Sequence, residues 1–171
     1  MYVYLTTGTR DFMEKLQERH ANKGMILMHG GGQSLLLHET EGKSVFQTPR
    51  RYEVVSSAGG LQEEGYFVYN NIPVTDEGRP IFEHRFSTNT GQIESQQGFI
   101  AFRLLRPLDS DTYIVITEWQ DASDYDRWKH SRDFKESPQS LDMKEFAGNT
   151  THIFASASYI TTYIAKIDDK E

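Results

Sequence analysis

Cysteine is absent from the 171 residues, so disulfides, thiolate metal sites and thiol nucleophiles are excluded. That is the usual state of proteins in a reducing compartment, and the cytoplasm is the expected location. No apolar run reaches the roughly 18 residues a membrane span needs. The opening MYVYLTTGTRDFMEKL has no basic stretch followed by an apolar one, so no export signal is expected either. Positive charge is scarce, since 18 Lys and Arg face 25 Asp and Glu for a net charge of -7. Neither a nucleic-acid backbone nor an anionic membrane is attracted to such a surface, which leaves small molecules and proteins as partners. What is present, 37% hydrophobic and 25% charged residues, suffices for one or two small globular domains with a real core.

Periodicity supplies the order of elements. MYVYLTT alternates as a strand does, and TRDFMEKLQERH sets Phe12, Met13 and Leu16 on one helical face behind the cap candidate Thr9. GMILMHGGGQSLLLHETEGKSVF holds two apolar runs split by three glycines, a hairpin pattern, with a second turn at Glu41-Gly42. PRRYEVVSSAGG predicts a short helix opened by Pro49 and closed by Gly59, and SSAGGLQEEG is the linker candidate. Beyond it come strand GYFVYNNI, helix TDEGRPIFEHRF, strands GFIAFRLL and TYIVITEW, a helical segment from ASDYDRWKH, and strand SYITTYIA. The order βαββαβ is that of an α+β ferredoxin-like unit, with helices on one face of an antiparallel sheet. Residues 1–64 open with the same β, α, β, β order and form an N-terminal α+β half, and residues 65–171 form the second domain.

Several motifs lead nowhere. HGGG at His29 to Gly32 matches an esterase oxyanion loop, but the Gly-x-Ser-x-Gly elbow which that chemistry needs is missing. The six histidines, at 20, 29, 38, 84, 130 and 152, never take the spacing of a zinc helix. Asn149-Thr150-Thr151 is a glycosylation acceptor only in a secreted chain. Glu63-Glu64 and Asp168-Asp169 read as solvated charge.

The two tryptophans stand nine positions apart in TEWQDASDYDRWKHSRDFKESP. With Asp121 as cap, Ala122, Tyr125 and Trp128 recur at i, i+3 spacing and form one stripe, while Asp124, Arg127 and Lys129 lie away from it. Trp128 therefore faces inward, where it either packs a core or lines a pocket for a flat ligand.

RLLRPLDSDTYIVITEWQDASDYDRWKHSRDFKES, with NNIPVTDEGRPIFEHRF upstream, resembles the antibiotic-biosynthesis-monooxygenase (ABM) domain of the Isd-type haem-degrading monooxygenases. LLLHETEGKSVFQTPRRYEVV and the terminal SYITTYIA extend the likeness to the two-domain bacillar members, and the staphylococcal TRAP signal-transduction family shares the architecture. The resemblance implies haem as both substrate and cofactor, O2 and an external electron donor or reductase, and iron release. The family's site asparagine falls on Asn70 and its tryptophan on Trp128, which are the implied catalytic residues. Phe86, ending EHRF, matches an aromatic that packs against the porphyrin. The family's iron-ligating histidine falls on Pro138, which cannot coordinate a metal, so the metal ligand is unassigned. His130 is the stand-in, yet it lies two residues after Trp128, about 200° around a helix, and is expected to point away. Arg103, Arg106 and Arg132 are available to propionates or are surface charge.

Single-domain members pair two ferredoxin-like units into a barrel. The N-terminal half is therefore expected to stand in for the second subunit, giving a pseudo-dimeric barrel that is monomeric in solution. Two other functions fit the same pattern. One is a TRAP-like non-catalytic signalling or stress-response protein, which Pro138 favours. The other is a cofactor-independent monooxygenase acting on polycyclic phenols.

Overall fold

A computed structural model describes residues 1–87, 92–140 and 153–166. The glycosylation-type triplet, His152 and Asp168-Asp169 fall outside the described residues.

β1 (Tyr2–Gly8) alternates as its sequence predicts: Val3 and Leu5 point into the centre of the molecule and Tyr4 points outward. Thr9 caps α1 (Arg10–Arg19), its hydroxyl accepting from the Phe12 N–H at 3.2 Å. Met13 is buried beneath the helix, whereas Phe12, expected on the same stripe, is 59% exposed. The i and i+1 positions diverge by about 100°, so a stripe centred on Met13 leaves Phe12 at its edge. β2 (Ile26–Gly30) and β3 (Gln33–Thr40) form the expected hairpin, with Gly31 and Gly32 at φ 61° and 83°. Positive φ at both central positions matches the right-handed twist of the flanking strands and requires glycine-like freedom.

The segment from Pro49 to Gly59 is not a helix. It is β4 (Arg50–Ala58), paired antiparallel to β1 along Tyr2↔Glu53 to Leu5↔Arg50. Tyr52 and Val54 face the centre at period two, and the run Val54-Val55 favours the pleated conformation over a helix. Pro49 and Gly59 thus bracket a strand.

The second half follows the predicted order: β5 (Gly65–Pro73), α2 (Arg79–Ser87), β6 (Phe99–Pro107), β7 (Thr112–Trp119), α3 (Ala122–Lys129), a short α4 (Arg132–Lys135) and β8 (Tyr159–Ala165). All eight strands close into one antiparallel barrel in the order β1-β3-β2-β8-β5-β7-β6-β4. Each half contributes an equivalent run, β4-β1-β3-β2 and β8-β5-β7-β6, so the chain builds a ferredoxin-like pseudo-dimer within itself. Val3, Leu5, Met28, Leu35, Phe67 and Ile114 fill the interior. Within this apolar centre the Tyr69 hydroxyl donates to Met28 Sδ at 3.2 Å. The helices cover the outer face.

Candidate functional site

Strand pairing decides which side chains share the outer face of the second half. Asn70 lies within β5 rather than at its end, opposite Val115 of β7 and Ile160 of β8. Those three, with Val68 and Thr117, line one side of a cleft. α3 supplies Tyr125, Trp128 and Lys129, α4 supplies Phe134, and the short turn at Pro138–Ser140 adds Gln139. Asn70 and Trp128, 58 positions apart in sequence, thus meet at one site.

The approach of α3 is set locally. Asp121 caps it, accepting from the N–H groups of Ser123 at 2.9 Å and Asp124 at 3.3 Å. Asp124 is buried, although the helical stripe places it on the solvent side. Its carboxylate accepts from Arg127 at 2.9 Å and sits against Gly98. A Cβ at Gly98 would come within 2.1 Å of Asp124 Cγ, and the glycine has φ 81°, so only glycine admits this approach.

Trp128 is 3% exposed and packs with Val68, Ile93, Trp119 and Tyr125. Its ring lies 5.4 Å from Trp119 and meets Phe134 edge-on at 4.8 Å. Trp119 is held in turn by its indole N–H donating to Thr117 at 2.9 Å. One indole therefore serves core packing and cleft lining together. Burial raises the Tyr125 phenol to about 12, so it stays neutral at physiological pH.

The side-chain carbonyl oxygen of Asn70 is buried with no hydrogen-bond partner among the described residues. Its neighbour Asn71 differs: that amide donates to the carbonyls of Tyr69 and Tyr159 and to the Thr161 hydroxyl, at 3.1 to 3.3 Å. Asn71 joins β5 to β8, while Asn70 keeps an unmet demand of about 1–3 kcal/mol beside the cleft.

Phe86 does not line the cleft. It is buried against Phe82, ring centroids 4.6 Å apart, in a neighbouring core cluster that shares Val115 with the site. Pro138 is buried at the start of its turn, and the next residue, Gln139, reaches the cleft instead. His130 is exposed and caps α3, its Nδ1 2.8 Å from the Asp126 carbonyl, in keeping with the expectation that it points away. Arg103 binds Glu39 at 2.6 Å, and Arg106 binds Glu53 at 2.9 Å and Glu83 at 2.7 Å, so both are structural. Among the described residues no group of three His, Asp or Glu side chains is placed to hold a metal ion.

The cleft holds about 40 Å³. Sites for drug-sized ligands run to roughly 300–1,000 Å³, so the cleft in this conformation is too small for a large flat ligand. Thr117, Lys129, Phe134 and Gln139 were invisible as site residues in sequence. The alternation in TYIVITEW puts Thr117 on the face of Trp119, but nothing in it says which face carries a site.

Fold and site together define a class: an α+β ferredoxin-like chain closed into a pseudo-dimeric barrel, with an interhelical cleft on one half. Residues 65–137 match the family model described as antibiotic biosynthesis monooxygenase. Across the chain, signal transduction protein TRAP of Staphylococcus epidermidis is 25% identical over 169 residues, 99% of each chain. A heme-degrading monooxygenase of Listeria monocytogenes is 27% identical over 129 residues, 75% of this chain and 77% of the other. A solved structure described as that of a major regulator of staphylococcal pathogenesis superposes with a TM-score of 0.84 at 22% identity, over 96% of this chain and 99% of that one, which shows a common fold.

Proposed function

We propose that the protein is an Isd-type haem-degrading monooxygenase that binds haem in the cleft of residues 65–171 and opens the macrocycle to release iron. O2 and electrons from a separate reductase are the co-substrates. The observation that carries this reading is the convergence of Asn70 and Trp128 on one cleft, with the Asn70 carbonyl oxygen buried and without a partner among the described residues. Haem supplies the redox chemistry when bound, and the protein supplies orientation and a dry wall. Asn70 offers an amide whose geometry the strand fixes, which bulk water cannot reproduce. Trp128 offers a rigid plane braced by Trp119 and Phe134, suited to press on one edge of a ring system. Phe86 contributes indirectly, by supporting the cluster that holds Val115.

Haem titration followed by a reductant under air tests the reading. A Soret band at stoichiometric haem that bleaches with iron release supports it, and absence of any band removes it.

Pro138 favours a second reading, a TRAP-like protein that keeps the barrel and has no turnover. No histidine lines the cleft among the described residues. Because Gln139 rather than Pro138 reaches the cleft, Gln139→His is the substitution expected to add a histidine-ligated haem spectrum, with Pro138→His the weaker of the two. Binding without bleaching, in wild type and Gln139→His alike, supports the regulatory reading.

A further inference from the structure

The outer face of the N-terminal half is closed by irregular chain. β3 ends at Thr40 and β4 begins at Arg50, and residues 41–49 between them lie over β1 and β3. Register makes this face the counterpart of the cleft, since Tyr4 pairs with His38 across β1 and β3 as Val68 pairs with Thr117 across β5 and β7. Few contacts hold the strap. Phe46 packs with Tyr4, Met13, Met25 and Leu36, the Tyr4 hydroxyl donates to the Gly42 carbonyl at 2.9 Å, and Glu41 meets the amino terminus of Met1 at 3.5 Å in an exposed pair that contributes little. Beneath it His38 is only 4% exposed, and its Nδ1 is buried with no partner among the described residues. Phe46 meets the imidazole edge-on at 6.3 Å and Tyr4 stands tilted at 6.5 Å, both beyond the about 6 Å at which a ring face helps a cation.

We propose that residues 41–49 form an acid-released strap over this face, and that His38 is the group whose protonation releases it. The proposal is independent of any ligand in the cleft of the other half. A neutral imidazole tolerates its place, whereas the protonated ring carries an N–H on both nitrogens and the one on Nδ1 has no acceptor. The charges that reach the ring are positive, Lys23 and His20 from the turn that ends α1. Glu39, the next residue of β3, is bound to Arg103, and Glu41 of the strap is turned to Met1, while Lys43 is exposed. Towards this cluster α1 presents Met13 and Leu16, and β2 presents Leu27. Burial first, then Lys23 and His20, holds His38 below its ordinary 6.5. Above 6.5 strapped and open forms are both neutral, and the strap is held. As pH falls below 6.5 the open form takes the proton first, so opening gains by up to about tenfold per pH unit until the strapped form takes it as well.

The chain has no cysteine, so Lys43→Cys, at an exposed position of the strap, gives a single attachment point for a nitroxide. Its mobility is followed by electron spin resonance across the range from neutral to mildly acid pH, with circular dichroism recording whether the barrel stays folded. The expected result is a mobile component that grows reversibly, several-fold, as pH falls below 6.5 while the circular dichroism is constant. The His38 imidazole, followed by NMR in the full chain, should titrate with the same midpoint. Lys23→Ala removes a neighbouring cation and should raise that midpoint. His38→Phe and His38→Gln do not titrate and should abolish the growth in mobility, whereas Glu41→Gln should leave it in place. Either histidine variant suffices if the other does not fold, and if neither folds the shared midpoint decides. Constant mobility in the labelled protein, a His38 titration apart from the mobility change, growth that persists in a folded His38 variant, or growth lost in Glu41→Gln each overturns the proposal.

Discussion

The outer faces of the two half-barrels are built on the same strand order, yet they end differently. Over β5 and β7 the face carries Asn70, Val115 and Thr117 and is roofed by α3 and α4, leaving a cleft. Over β1 and β3 the corresponding face carries Tyr4, Leu36 and His38, and it is filled. Phe46 meets His38 edge-on at 6.3 Å, Met13 of α1 is buried beside Tyr4, and the Tyr4 hydroxyl donates to the Gly42 carbonyl at 2.9 Å. Closing a barrel requires both halves, because an open sheet leaves unpaired edges and an apolar face. A site requires only one, so the other is free to pack its face with aromatics.

The seams between the halves differ as well. At the first, β4 pairs with β6 from Tyr52↔Pro107 to Ala58↔Phe102, and it is reinforced by Arg103–Glu39 and by Arg106 between Glu53 and Glu83. At the second, β2 meets β8 in register only at His29↔Ile164. Gly30 lies so close there that a Cβ would come 2.1 Å from the Thr162 carbonyl oxygen. Charge and hydrogen bonds hold one junction, and close backbone approach holds the other.

Separating the halves should have the largest effect. Residues 65–171 expressed alone should dimerise or aggregate, while light scattering of the full chain should give a mass near 19.7 kDa. A soluble, folded monomer of 65–171 would show that the N-terminal half is an appendage.

The roof and the first seam come next. Trp128→Ala should cost about 3–5 kcal/mol by chemical denaturation, the range for a buried aromatic truncated to alanine, and should abolish haem binding. Phe46→Ala on the filled face should cost a comparable amount and leave haem binding intact once conditions keep the protein folded. Equal binding losses in both would mean the halves are not functionally distinct. Arg103, only 7% exposed in its side chain, donates to Glu39 and to the carbonyls of Ala58, Gly59 and Phe102. Arg103→Met strands those acceptors and should cost about 3–5 kcal/mol.

These contrasts also explain what could be read in advance. The βαββαβ order, the three-glycine hairpin and the Asp121 cap follow from local periodicity and turn chemistry, which strands and helices display in the chain itself. β4 did not, because its partners lie in both halves and Pro49 and Gly59 punctuate a strand as readily as a helix. Asn70 and Trp128 were singled out through a family likeness, and the fold brings both to one cleft. Lys129, Phe134 and Gln139 were not, since their place depends on where α4 and the Pro138–Ser140 turn come to rest. Asp124 shows the limit of helical stripes: a glycine from another element buried a carboxylate that the pattern assigns to solvent.

A pH experiment probes the barrel's interior end. The Glu118 carboxyl is fully buried, accepts from the Gln62 N–H at 3.0 Å through one oxygen, and finds no partner for the other among the described residues. Burial pushes it up to about 8 from a usual 4.5, against the opposing pulls of that N–H and of Arg103. Below about pH 4.5 both folded and unfolded states carry the proton, and the contribution to stability is fully present. As pH rises towards 8 the unfolded chain releases the proton while the folded one retains it, so stability falls. A shift of that size bounds the loss at about 5 kcal/mol, and relaxation around the carboxylate should bring it to roughly 2 kcal/mol. Glu118→Gln should flatten the decline between pH 5 and 8. An unchanged slope would place the titrating group elsewhere.

The smallest effect is expected at the second seam. Ile164 is 46% exposed on the outer side of β8, with Ile160 at 45% four positions before it on the same face. In a monomer these side chains meet water, and Ile164→Thr keeps the β-branched shape the strand favours while removing little buried area. The substitution should therefore change stability by less than about 0.5 kcal/mol, the usual range for surface positions, and leave the mass in solution unaltered. Denaturant midpoints together with light scattering decide the matter. A loss well above about 1 kcal/mol that depends on protein concentration would mean that a second chain covers this strip and that the weaker seam borrows strength from it, because only an associating system makes stability a function of concentration. A loss of the same size independent of concentration would instead show that β8 is held by its outer side chains, and that the two seams are more alike than their pairing suggests.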